Sequence, residues 1–197
     1  KIAEATVEYL AQEAKKLGRK VQPLILVGDL GDPNAVGRKK GFDNVIAKYP
    51  DLFLTPIEVA TKWDASVAQA NLQAALTANP NVDVIFTSSD FLYPTIQGIL
   101  EPMGRWKKIG EEGHVIIGGL DGDKTACGLM KDKFVDATGV QDLYFEAEAL
   151  LTAMVTSIEK GETTPDAWLD DPGFALTQEN IGTRENDMWG CKLYNGK

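Results

Sequence analysis

The chain opens on a helical repeat: Ala3, Val7, Leu10, Ala14 and Leu17 recur every three or four residues, which puts them on one face of a helix. No Ser, Thr, Asp or Asn precedes that stripe as a cap, so the sequence reads as cut from something longer. An apolar run from Val21 to Val27 follows and ends at Gly28-Asp29, with Gly31-Asp32-Pro33-Asn34 as a turn, the signature of a strand and its exit loop. The next helix carries Val36, Phe42, Val45 and Ile46 on its apolar side and stops near Tyr49-Pro50, because proline pushes the residue before it out of helix. The alternation then repeats. Strands over Leu52 to Ala60, Val82 to Phe86, Val115 to Ile117 and Phe134 to Val140 are separated by helices marked by Ala68 to Leu76 and Tyr93 to Met103, and by a short helix before the last strand. Short, mostly apolar strands alternating with helices predict an α/β fold: an open, parallel, five-stranded sheet with helices on both faces.

Leu143 to Lys160 predicts a longer helix whose apolar residues do not keep to one side. Tyr144, Ala147, Leu151, Met154 and Ile158 form a stripe, while Phe145, Ala149 and Leu150 lie off it. Such a helix needs cover on two sides, and a five-stranded sheet offers one. Another domain or another copy is therefore expected to cover it. Gly161 to Pro172 reads as a loop, Phe174 to Leu176 as a short strand, and the remainder as a tail containing Trp and Gly.

Composition narrows the function. With 44% hydrophobic and 25% charged residues in 197, the chain is long enough for a real core and unlike disordered or fibrous proteins. Its net charge of −9 has the wrong sign for neutralising nucleic-acid phosphates or coating an anionic membrane, and no apolar run reaches the about 18 residues a bilayer span needs. Cys127 and Cys191 fit no CxxC spacing; the sequence alone leaves open a bridge that ties down the tail or two free thiols.

In an open parallel sheet, ligands gather beyond the carboxyl ends of the strands, and the polar clusters of this chain fall there. Arg38, Trp63-Asp64, Ser89-Asp90, Asp121 and Gln141 follow strands one to five in order. Carboxylate, amide and guanidinium groups offer paired acceptors or donors that match adjacent hydroxyls of a sugar ring, and an indole face suits its C–H patch. Each residue also has a structural reading. Asp64 and Asp90 read as helix caps, Asp121 as a turn former and Arg38 as a solvated helix residue. Catalytic groupings are thin. The one histidine, His114, precedes strand four at the opposite edge and reads as a structural surface residue. Gly28-Asp29-Leu30-Gly31 has no phosphate-binding spacing, and Asp121-Gly122-Asp123 lacks the glutamate of a calcium loop. No catalytic residue, metal site or cofactor is assigned.

Three stretches taken together, Gly31-Asp32-Pro33-Asn34-Ala35-Val36-Gly37-Arg38-Lys39-Lys40-Gly41-Phe42, Val84-Ile85-Phe86-Thr87-Ser88-Ser89-Asp90 and Ile117-Gly118-Gly119-Leu120-Asp121-Gly122, resemble successive landmarks of the periplasmic sugar-binding proteins of the ribose-binding type. The resemblance runs from about residue 1 to 161. It implies a type I periplasmic binding protein domain, flavodoxin-like in arrangement, in which two lobes close on a monosaccharide. By the same resemblance the arginine of the second lobe falls on Arg38, the stacking aromatic on Trp63, the turn aspartate on Asp121 and the glutamine after strand five on Gln141. Ser89 stands where the family has asparagine, and Leu120 where it has phenylalanine. The implied organisation is residues 1–142 as the second ligand-binding lobe, 143–172 as a helix and crossing that pack with a missing N-terminal lobe, and 173–197 as a return segment and tail.

The function expected from the resemblance is that of the solute-binding component of an ABC importer in the periplasm or another extracytoplasmic compartment. Its partners would be a small sugar or polyol and a membrane permease, with no nucleic acid. The rival expectation is the effector-binding domain of a LacI-type transcription regulator, which shares the fold. An enzymatic reading, a sugar lyase or isomerase, lacks a nameable base and proton donor.

Overall fold

The computed structural model describes residues 1–161 and 170–196. The chain runs α1 (Ile2–Lys15), β1 (Pro23–Val27), α2 (Pro33–Lys48), β2 (Ile57–Ala60), α3 (Ala65–Ala78), β3 (Val84–Thr87), α4 (Tyr93–Leu100), β4 (Ile116–Asp121), α5 (Lys124–Lys131), β5 (Ala137–Val140), α6 (Leu143–Lys160), β6 (Phe174–Thr177), α7 (Ile181–Arg184) and α8 (Trp189–Tyr194). The strands form one sheet in the order β2-β1-β3-β4-β5-β6. The first five are parallel, as expected. A sixth, at the position read as a short strand, joins the edge antiparallel to β5 and pairs Val140 with Phe174 and Ala137 with Thr177. The order reverses between β1 and β3, which opens the crevice in which such sheets hold ligands.

Apolar periodicity accounts for most of the packing. Ala3, Val7, Leu10, Ala11 and Ala14 of α1 are buried with Phe42 and Val45 of α2 against Ile25, Phe86 and Ile116 on one face of the sheet. Leu72, Leu76, Ile96, Leu100 and Met130, from α3, α4 and α5, cover the other face. Each large side chain so buried contributes about 1.5–3 kcal/mol. Two sequence assignments shift here. Leu17 lies beyond the end of α1 and is exposed, and on α2 Val36 is exposed while Ala35 faces the core. The second strand is shorter than its apolar run, because Phe53 makes only an isolated bridge to Val21.

The polar exceptions are paired. Asp83, the one acidic residue of the third apolar run, is gripped at the amino edge of the sheet by Arg19 at 2.6 Å and by the Gln22 N–H at 2.9 Å. His114 is not a surface residue. Its ring is largely buried, 2.8 Å from the Lys107 carbonyl and 3.0 Å from Asp136, whose carboxylate also accepts the Ile117 N–H. Burial lowers the His114 pKa, but the hydrogen bond and charge of Asp136 outweigh it and hold the ring above its ordinary value. The two cysteines are joined, and the Cys127–Cys191 bridge ties α8 to α5.

Helix α6 spans the residues expected, and none of them is buried. Leu150 and Leu151 are each 62% exposed and Ile158 is 78% exposed, so the sheet covers neither of its apolar sides. Of the expected crossing from 143 to 172, residues 162–169 lie outside the described residues. No described helix is long and apolar enough to cross a membrane.

Candidate functional site

Local rules place each candidate at the carboxyl edge of the sheet. Asp32 caps α2 by accepting the Asn34 N–H, and Pro33 starts that helix at the position where a missing N–H costs nothing. The Arg38 guanidinium is thereby carried over the ends of β3 and β4. After β2, Lys62 and Trp63 both take left-handed backbone angles (φ 52° and 56°), a sharp reversal that non-glycine residues rarely adopt. Asp64 then caps α3 through the Ser66 and Val67 N–H groups, as the sequence suggested. The reversal lays the Trp63 indole on Gly28, where a β-carbon would come within 2.2 Å of the ring.

Arg38 is the hub. Its guanidinium donates to the Ser88 carbonyl at 2.6 Å and to Gln141 Oε1 at 2.9 Å, and it lies 2.8 Å from Asp121 Oδ1. The Ser89 hydroxyl donates to the other oxygen of Asp121. The Trp63 indole N–H donates to Asp32 at 3.0 Å, and the ring centroid is 5.7 Å from the guanidinium carbon of Arg38. All five sequence candidates therefore meet around one side chain. The arginine and aspartate side chains are only 13% and 24% exposed, so the pair is no solvated surface contact. Burial pushes the Asp121 carboxyl above its ordinary range, against the pull of the Arg38 charge and the Ser89 hydroxyl.

Beside this cluster lies an open hollow of about 420 Å³, walled by Arg38 and Gln141 together with Asn34, Ile2, Leu120 and Glu146. Trp63, Ser89 and Asp121 are not part of its lining and reach it through their contacts with Arg38 and with one another. The cluster is thus preassembled, and its polar groups satisfy one another.

Asp90 corrects an expectation. It caps no helix through its side chain. Fully buried, it accepts the Gly122 N–H at 2.7 Å, the Asp123 N–H at 3.2 Å and the Thr138 hydroxyl at 2.8 Å. Burial, with the Asp121 and Asp123 charges nearby, raises its pKa to about 8. The cap of α5 is instead Asp123, which accepts the Ala126 N–H. Two further residues carried no local signal. Asp32 orients Trp63, and Trp189 donates its indole N–H to the Asp121 carbonyl at 3.0 Å. Among the described residues, no group of three or more His, Cys, Asp or Glu is placed to hold a metal ion.

The chain is similar to known proteins in sequence and in fold. The chain is 26% identical over 148 residues to a D-apiose import binding protein of Actinobacillus succinogenes, covering 75% of this chain and 45% of that protein. It is 28% identical over 181 residues to a xylitol-binding protein of Mycolicibacterium smegmatis, covering 90% and 48%. The chain thus spans about half the length of the curated relatives it matches. A periplasmic solute-binding protein of an ABC transporter from Actinobacillus succinogenes, solved with bound D-allose, superposes with a TM-score of 0.75 at 23% identity over 92% of this chain and 60% of that one. A carbohydrate-transporter solute-binding protein from Agrobacterium radiobacter, in complex with D-arabinose, gives 0.76 at 19% over 94% and 61%. At these identities the structures speak for the fold. A family model described as a periplasmic binding protein domain matches residues 1–163, and with that match over most of its length the chain belongs to the periplasmic binding protein domain family.

Proposed function

We propose that this chain supplies one lobe of a two-lobed binding protein that captures a monosaccharide or related polyol outside the cytoplasm and delivers it to the permease of an importer. The observation that carries the reading is the convergence on Arg38 of Gln141, Asp121 and the Ser88-Ser89 segment, beside Trp63, at the carboxyl edge of the sheet. Arg38 retains its Nε–H and one Nη1–H for ligand hydroxyls, Asp121 and Gln141 keep acceptor lone pairs, and Trp63 offers an aromatic face. These groups grip and orient; the reading includes no bond-making step. In this reading residues 1–142 form the lobe, and α6 lays its exposed apolar sides on the second lobe. The length of the relatives and the names of their ligands support it, and the Cys127–Cys191 bridge suits an oxidising compartment.

The test is a thermal-shift and calorimetric screen of the full-length protein with D-apiose, D-arabinose, D-allose and xylitol. At least one should raise the melting temperature. Arg38→Ala and Asp121→Ala should each weaken its binding by about ten- to a hundredfold, the loss expected for a hydrogen bond to a charged partner. Failure of every carbohydrate, or unchanged affinity in both variants, refutes the assignment.

A further inference from the structure

The turn that presents Asp121 is held from two sides. Asp121 itself has φ 131° and Gly122 φ 82°, so the chain leaves β4 through a conformation that an aspartate does not adopt unaided. From inside, buried Asp90 takes the Gly122 and Asp123 N–H groups. From outside, the start of α8 lies across the turn. The Trp189 indole N–H donates to the Asp121 carbonyl at 3.0 Å, and the Gly190 N–H donates to the Gly122 carbonyl at 3.1 Å. The approach is so close that a β-carbon on residue 190 would come within 2.1 Å of the Asp123 carbonyl carbon. Met188 and Cys191 on either side are fully buried, and the disulfide fastens Cys191 to α5, the helix that begins directly after the turn. The tail from Met188 to Cys191 is thus a strap across the Asp121 turn, riveted at Cys127. It lies beyond residue 163, where the family match ends.

We propose that Trp189 and Gly190 are positioning residues for Asp121. By bonding the two carbonyls of the strained turn they keep the Asp121 carboxylate within reach of Arg38 and Ser89, and they thereby set the affinity of the polyol site. The link to affinity rests on the reading of that site given above; the effect on the turn does not.

Two measurements separate them. The first needs no ligand: amide hydrogen exchange of this chain, parent against Trp189→Phe, which keeps an aromatic ring but removes the N–H. Gly122 and Asp123 should exchange about tenfold faster in the variant, as expected when a local opening loses one hydrogen bond, while Leu24 to Val27 in β1 stay as protected as in the parent. Gly190→Ala, which forces the strap off the turn, should do the same. Unchanged protection of the turn in both variants overturns the proposal. The second uses the full-length protein and whichever of D-apiose, D-arabinose, D-allose or xylitol it binds. Trp189→Phe should weaken binding about tenfold in the parent background but have little effect when Asp121→Asn is already present, because the coupling runs through that carboxylate. A loss of equal size in both backgrounds marks Trp189 as merely structural. If no sugar binds yet the turn loosens in exchange, the strap stands and the polyol reading falls.

Discussion

Replacing Gly28 by alanine is expected to unseat Trp63, with a cost that can be traced to one contact. The added methyl would lie 2.2 Å from Cζ2, 2.3 Å from Cη2 and 2.5 Å from Cε2 of the indole. Carbon atoms rest about 3.5–4.0 Å apart, so the ring must retreat by more than about 1 Å. It has little freedom to do so. Lys62 and Trp63 already occupy left-handed backbone angles, and Thr61 is pinned to the Val27 carbonyl through both its N–H at 2.8 Å and its hydroxyl at 2.9 Å. Retreat therefore breaks the indole N–H bond to Asp32 and draws the ring away from Arg38. Overpacking of this kind costs about 1–3 kcal/mol, and each kcal/mol lowers the melting temperature of a domain this size by about 2–4 °C. Thermal melts of the chain read the stability, and the indole resonance of Trp63 reads the lost bond to Asp32. The decisive control is the Trp63→Ala background. There the methyl meets no ring, and Gly28→Ala should cost little. A penalty of equal size in both backgrounds, or a parental melting temperature and indole resonance in the single variant, would refute the reasoning.

Asp90 titrates near pH 8 in the folded chain and near about 4 when unfolded. The folded state therefore holds the extra proton across that window, and the contribution of Asp90 to stability declines from about pH 4 to 8 and levels off above. In urea melts Asp90→Asn should flatten that decline relative to the parent; parallel profiles would contradict the burial argument. The raised pKa of His114 works in the same direction. Its contribution is complete below the unfolded value of about 6.5 and is lost as pH rises through the folded value, so the stability gap between parent and His114→Ala should narrow on going alkaline, and a gap that widens would count against the Asp136 pairing. Leu150→Ser with Ile158→Ser, at positions 62% and 78% exposed, should shift the stability of this chain by no more than about 0.5 kcal/mol per site. The same pair should lower the melting temperature of the full-length protein, and equal melting there would argue against α6 packing on a second lobe.

What the sequence determined by itself is what short-range rules control. The period of Ala3, Val7, Leu10 and Ala14 marks α1, the first strand run ends at Gly28, and Asp64 sits where a cap belongs; all depend on neighbours within a turn or two of chain. The fourth strand, read as Val115 to Ile117 closed by Gly118-Gly119, instead runs on through both glycines to Asp121, because β5 pairs with them. The parallel five-strand core followed, because short apolar strands alternating with helices have few other ways to be buried. That Arg38, Trp63, Ser89, Asp121 and Gln141 share an edge was legible too, since each follows a strand and all five strands run the same way. Tertiary structure alone decided the contacts between residues far apart in the chain. Arg38 meets Gln141 across 103 positions and Cys127 meets Cys191 across 64, pairings that no local pattern encodes. Asp90 looked like a cap because acidic residues after strands usually are; burial beneath β4 and β5 turned its carboxylate toward the Asp121 turn instead. Likewise the edge strand β6 and the placement of Trp189 over that turn depend on where the returning chain finds an open sheet edge and the carbonyls of the Asp121 turn, and these are in place only once the sheet has formed.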